Sequence, residues 1–137
     1  MRVFLDTNVL LDAIVARSDI QFTRDAAAIL TLGDTKVVEL YMSVLSVPTI
    51  AYVLKNMSAA AKKDVIRTLT DIVNVLPSLP GHISNMLDSS QPDIEDALQA
   101  ESAREGACDL ILTRNAKDFA GCSIPAVTPQ EFLHRVQ

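Results

Sequence analysis

The chain has no tryptophan, two tyrosines and four phenylalanines in 137 residues. That leaves too few rings for the stacked-aromatic platforms that hold single-stranded nucleic acid. Cysteine is almost absent. Cys108 and Cys122 lack the close spacing of a redox pair and the number a thiolate zinc site needs, and read as small buried thiols in a reducing compartment. The four glycines form no GxGxxG or GxxxxGK loop, which excludes a phosphate cradle of that kind. His82 and His134 stand far apart and belong to no ligand spacing. No Ser or Cys lies in a nucleophile motif. Long apolar runs are missing too. The longest uncharged stretch, Leu40 to Leu54, contains Ser43, Ser46, Pro48 and Thr49 and is shorter than the roughly 20 residues of a membrane span. The amino-terminal apolar run stops at Asp6, so no signal peptide is visible. A soluble, cytoplasmic protein with no membrane association is expected.

What is present is a globular composition, 49% hydrophobic, with 17 acids against 12 bases. The length suits one domain over residues 1–137. A net charge of −5 argues against broad electrostatic capture of a phosphate backbone. It does not exclude a nuclease, because acids gathered to hold cations contribute to that sum.

Apolar runs suited to strands alternate with helical periodicities. Val3-Phe4-Leu5 reads as a buried strand ending in Asp6. Thr7 to Val15 reads as a helix, as does Phe22 to Leu32, stopped at Gly33. A strand over Lys36–Met42 leads into a helix reaching Lys55, and Ser58 is placed to cap a helix through Asp71. Short strands follow at Asn74–Leu76, Asp109–Leu112 and Ile124–Val127, with helices at Gly81–Leu87 and Pro92–Glu105, the latter closed at Gly106. Its buried side is read as Ile94, Leu98 and later alanines. Asn115 to Gly121 reads as a loop. Thr128-Pro129-Gln130-Glu131 is a capping box, which gives Glu131 a structural job. The alternation implies a mainly parallel sheet of four or five strands covered on both faces, a three-layer α/β/α sandwich.

Chemistry is concentrated in acids at element ends. Asp6 follows the first strand, at the carboxyl edge where open α/β sheets place ligands. Burying its carboxylate costs several kcal/mol unless a cation or donors compensate. Asp93 and Asp96, three apart, share a helix face. Asp93 also has the chemistry of a cap, and Glu95, off that face, reads as solvated. Thr113 and Asn115 follow the apolar strand Leu110-Ile111-Leu112, and Asp118 lies in a loop able to fold back. Clustered carboxylates without nearby Cys or His suit a hard cation, magnesium or manganese. That leaves metal-assisted attack by water as the chemistry on offer. A phospho-acceptor aspartate of the haloacid dehalogenase kind would need a second aspartate two residues on, where Asn8 stands.

Together Phe4-Leu5-Asp6-Thr7-Asn8, Asp93-Ile94-Glu95-Asp96-Ala97-Leu98, and Leu112-Thr113-Arg114-Asn115 with Asp118-Phe119 resemble the PIN domain, the metal-dependent ribonuclease fold of VapC-type toxins. The likeness covers nearly the whole chain. It implies a magnesium- or manganese-dependent endoribonuclease in which Asp6, Asp96 and Asp118, with Asp93, hold one ion or two. Asn8, Thr113 and Asn115 would support them, and water activated by the ion would attack the scissile phosphate of RNA. Arg114, with Lys117 and Arg17, is a candidate to flank the cleft and contact substrate. An antitoxin would be the restraining partner, and the apolar helices at Phe22–Leu32 and Ile50–Leu54 would suit a partner groove or a homodimer seam. One departure matters. Where most PIN nucleases carry a glutamate after the second strand, this chain has Thr49, and Asn115 stands where many relatives have aspartate. The alternative is therefore a catalytically weakened or inactive PIN-like binding module.

Overall fold

β1 (Arg2–Leu5) forms the middle of the sheet because Val3, Phe4 and Leu5 are apolar on both faces. Each is essentially inaccessible to solvent, as a central parallel strand requires. In the computed structural model, which describes residues 1–136, β2 (Glu39–Ser43), β3 (Val73–Leu76), β4 (Leu110–Leu112) and β5 (Ala126–Val127) complete a five-stranded sheet of order β3-β2-β1-β4-β5. Every pairing is parallel, so the sheet is wholly rather than mainly parallel. The strand order reverses at β1, between β2 and β4. Phe4 pairs with Tyr41 on one side and Ile111 on the other.

Helices cover both faces, giving the α/β three-layer architecture. Val3 and Leu5 point into one core with α1 (Thr7–Ile14), α2 (Ile20–Asp34), α3 (Ser46–Val53), α4 (Ala59–Ile72) and α7 (Pro129–Val136). Phe4 and Ile111 point into the other, against Ala100 and Ala103 of α6 (Ile94–Glu105), with α5 (Pro80–Asp88) packed beside it. Ile94 is exposed, contrary to expectation. The buried side of α6 is Ala97, Ala100 and Ala103 with three polar residues, Gln99, Glu101 and Ser102. A 3-10 turn at Ala116–Phe119 interrupts the expected loop. Among the described residues no helix is long and apolar enough to cross a membrane.

Two caps follow the sequence closely. Ser58 Oγ accepts the Ala61 N–H at 3.1 Å. Thr128 Oγ1 accepts from the Glu131 N–H at 3.2 Å while Glu131 Oε2 accepts the Thr128 N–H at 3.0 Å. Gly33 acts differently from expectation. α2 does not stop at Gly33 but continues to Asp34. Gly33 is buried, and a Cβ there would lie 2.8 Å from Leu40 Cγ and 3.3 Å from Ile72 Cγ2. Gly106 closes α6 as expected, as its C-cap; a Cβ there would meet Leu76, and the left-handed residue beyond it is Ala107, φ 50°. Gly33→Ala should therefore lower stability by about 1 kcal/mol in urea titrations. Overpacking against the buried Leu40 costs ~1–3 kcal/mol, which outweighs the ~1 kcal/mol of helix propensity gained. A stabilised variant would mean that Leu40 moves freely.

Candidate active site

Asp6 sits where β1 ends and α1 begins. Its N–H continues the sheet ladder to the Leu112 carbonyl at 3.0 Å, and its own carbonyl accepts the first α1 bonds from Val9 and Leu10. The side chain makes no cap bond. It turns instead across the sheet edge, where Oδ2 accepts Thr113 Oγ1–H at 2.9 Å. Thr113 can reach it because β4 lies beside β1 and ends in register, Leu5 opposite Leu112. Only 6% of Asp6 is exposed.

The first turn of α6 supplies the next acids. Asp93 is the N-cap, its Oδ1 accepting the Asp96 N–H at 2.9 Å. Asp96, in the first turn of α6, is partly buried. Asp118 comes from the 3-10 turn and is exposed. Asn115 Nδ2–H donates to its Oδ1 at 3.0 Å, and the Asn115 N–H donates to Thr113 Oγ1 at 3.3 Å. Thr113 thus links two of the acids.

These groups feel one another. Burial pushes the Asp6 carboxyl up to about 6, partly opposed by bonds from Thr113 and the Thr7 backbone, with Glu95 and Asp118 adding repulsion. Asp96 is pushed up to about 7 by burial first, then by the charges of Asp93, Asp6, Asp118 and Glu95. None of the ion pairs among the described residues reaches Asp6, Asp93, Glu95, Asp96 or Asp118. These acids repel one another, and among the described residues no ion pair offsets that repulsion.

A pH dependence follows. Both acids hold protons in the folded state at higher pH than an ordinary aspartate, whose value is 3.8. The folded form therefore binds more protons than the unfolded form between about 4 and 7, and stability falls as pH rises through that window. In chelator, melting at pH 7.5 should come roughly 5 °C or more below that at pH 5. Saturating Mn2+ should shrink the difference. A profile that is flat or rises with pH would show that the acids are not strained.

Carboxylate oxygens and neutral amide or hydroxyl supports are the donor set a hard divalent ion takes, so the chemistry of the residues fits such an ion. The geometry is open. Among the described residues no three His, Cys, Asp or Glu side chains stand close enough to form a finished cage.

The PIN domain family matches residues 2–117, which include Asp6, Asp96 and Thr113. The chain belongs to the PIN domain family. This PIN domain is 30% identical over 142 residues to ribonuclease VapC1 of Aquifex aeolicus (strain VF5), covering 98% of this chain and 94% of that protein. Two solved structures share its fold. VapBC-1 from nontypeable Haemophilus influenzae has a TM-score of 0.68 at 17% identity, over 95% of this chain and 99% of that one. FitAcB from Neisseria gonorrhoeae has a TM-score of 0.67 at 16% identity, over 93% and 98%.

Within this PIN domain several residues depart from their expected surroundings. The Arg114 guanidinium is turned away from the cleft. Its Nε–H donates to Asp12 Oδ2 at 2.7 Å and Nη2–H to Asp12 Oδ1 and, at 2.7 Å, to Ser18 Oγ. It also lies 4.2 Å over the Phe22 ring. A guanidinium so engaged is not free for substrate. Asn8 Oδ1 accepts from Arg17 Nη2–H at 3.0 Å rather than bracing a carboxylate. Asp93 is occupied as a cap. Lys117, exposed, enters no ion pair among the described residues. Thr49 is partly buried in α3, three residues beyond Ser46, which is fully buried against Thr7. A groove of about 450 Å³ runs along later turns of α6, lined by Ala97, Ala100, Arg104, Cys122 and Ile124; it lies beside the acids rather than on them.

Sequence reasoning missed a polar layer behind the acids, made of Thr7, Ser46, Gln99 and Glu95. Glu95 Oε1 accepts from Gln99 Nε2–H at 3.2 Å and Thr7 Oγ1–H at 3.4 Å. The one local sign was the four-residue spacing of Glu95 and Gln99 on a helix.

Proposed function

We propose that this PIN domain is a magnesium- or manganese-dependent endoribonuclease of the VapC toxin type, acting as a single domain in the cytoplasm on RNA. The reading is supported by the buried Asp6 at the carboxyl end of β1, held by Thr113, and by the mutual repulsion between Asp6 and Asp96, ninety residues apart in sequence, with none of the ion pairs among the described residues reaching either acid. Bound there, a divalent ion would offset that charge and supply the Lewis acidity that activates water and neutralises a phosphate. Asp6, Asp96 and Asp118 would hold it. Thr113 orients Asp6, and Asn115 orients Asp118. Lys117, next to Asp118, is the exposed base nearest in sequence to the acids and is suited to a backbone phosphate.

Family membership and the kinship with a VapC ribonuclease support an antitoxin partner. The exposed apolar side chains Ile20, Phe22, Tyr52 and Val53 are a surface for that partner or for a second copy. A second reading, a PIN-like binding module without hydrolysis, is favoured by Thr49 and by the open arrangement of the acids. RNA cleavage by purified protein, with Mn2+ and with chelator, separates the two. The first reading requires cation-dependent cleavage that Asp6→Asn removes; the second requires none on any RNA.

A further inference from the structure

Four polar side chains meet behind Asp6 in a place the core would otherwise fill with hydrocarbon. Ser46 and Gln99 are fully buried and Thr7 nearly so. The Ser46 and Thr7 hydroxyls lie 2.8 Å apart. The Gln99 amide nitrogen donates both to Thr7 Oγ1 and to Glu95 Oε1. The bonds have a consistent direction. Ser46 and Gln99 donate to Thr7, whose own proton is then left for Glu95. Both chains of donors end on one carboxylate oxygen.

The arrangement leaves Gln99 Oε1 buried without a hydrogen-bond partner. Such an orphan is costly and needs a reason. Rotating the amide would give Oε1 the Thr7 hydroxyl, but would turn a carbonyl oxygen toward the Glu95 carboxylate. The observed orientation keeps the amide N–H on Glu95 Oε1. Glu95 Oε2 takes no donor from the described residues, and the residue is exposed. One oxygen is anchored and the other is open. Among the neighbouring acids, Glu95 is also the strongest source of repulsion on Asp6.

We propose that Glu95 is the fourth carboxylate of the cation site, anchored through Oε1 by Thr7 and Gln99, and that it supplies the charge that Thr49 lacks. This rests on the nuclease reading above. Asp93, the other candidate for that role, also has one oxygen engaged, but by the Asp96 N–H as the α6 cap, whereas the Glu95 anchor leads back to the buried Thr7, Ser46 and Gln99. Gln99 is a positioning residue that acts through Glu95.

The test is calorimetric titration of Mn2+ into the wild-type protein, Glu95→Gln, Asp6→Asn and a control, Asp88→Asn, at the exposed end of α5. Glu95→Gln keeps the acceptor that Thr7 and Gln99 use and removes only the charge. It should weaken Mn2+ binding tenfold or more, about 1.4 kcal/mol, while the control binds as wild type. Melting in chelator gives a second measurement that a merely structural Glu95 would move the other way. With the repulsion relieved, Glu95→Gln should melt higher than wild type at pH 7.5 and gain less from added Mn2+. If Asp6→Asn loses Mn2+ while Glu95→Gln binds it within twofold of wild type, the role of Glu95 falls and the nuclease reading stands. If Glu95→Gln melts lower in chelator, Glu95 is a structural tether and the proposal is overturned. If the wild-type protein binds no Mn2+, both readings fall together.

Discussion

Asp6→Asn should abolish cation-dependent RNA cleavage, by at least about a thousandfold, and yield a protein that is more stable than wild type in chelator. The two effects share a cause. The asparagine is isosteric, its carbonyl oxygen can still accept Thr113 Oγ1–H, and the strand-to-helix turn depends on the Asp6 backbone rather than its side chain. Only the charge goes. In the folded protein that charge is expensive, since burial raises the carboxyl from 3.8 to about 6. The shift corresponds to up to about 3 kcal/mol of destabilisation at neutral pH. The same charge is what would hold the ion, and losing Lewis-acid assistance costs several kcal/mol of transition-state stabilisation. Chemical denaturation in chelator and a gel-based cleavage assay measure the two halves. Wild-type cleavage rates in Asp6→Asn would end the nuclease reading, and a large loss of stability would show that the Asp6 carboxylate is structural instead.

The second large effect lies outside the acids. Asp12 is buried on α1, 3% exposed, with Arg114 forked onto both oxygens and Arg17 Nε 3.5 Å away. Removing one partner of such a pair strands the other, at a cost of about 3–5 kcal/mol. Asp12→Ala should lose stability of that size in urea titrations. Asp12→Leu combined with Arg114→Met should lose much less than the sum of the single changes, because it strands neither charge. Arg114 adjoins Thr113, so the pair also ties the end of β4 to α1. Asp12→Ala is expected to loosen the Thr113 contact with Asp6 and to slow cleavage as well. A loss below about 1 kcal/mol would mean the pair is no more than a surface bridge.

These residues separate what is local from what is not. The strand and helix alternation was legible because each element carries its own period, and the caps at Ser58 and Thr128 because capping joins groups three residues apart. Asp6 and Thr113 could be picked out because polar groups directly after apolar strands land at one sheet edge, and Asp118 because it follows in a segment able to fold back. The motifs of the PIN domain suggested the rest of the proposed site. The alternation left open whether the sheet would have four strands or five, and how nearly parallel it would be.

Gly33 looked like a helix stop because glycine often is one; Leu40, on the neighbouring strand, decides its place instead. Glu95 is exposed, as expected, but a helical wheel sees only α6 and gave no sign that Thr7 on α1 anchors one of its oxygens. Arg114 looked available to substrate because its partner is 102 residues away, and no local pattern announces a buried carboxylate on α1. By itself the sequence determined the order of elements, their caps and the acids that close the first strand and open the sixth helix, since propensity and periodicity act over a few residues. The tertiary structure alone decided which charges face each other and which are neutralised, since Coulomb energy and desolvation depend on distance in space and on what shields the pair from water.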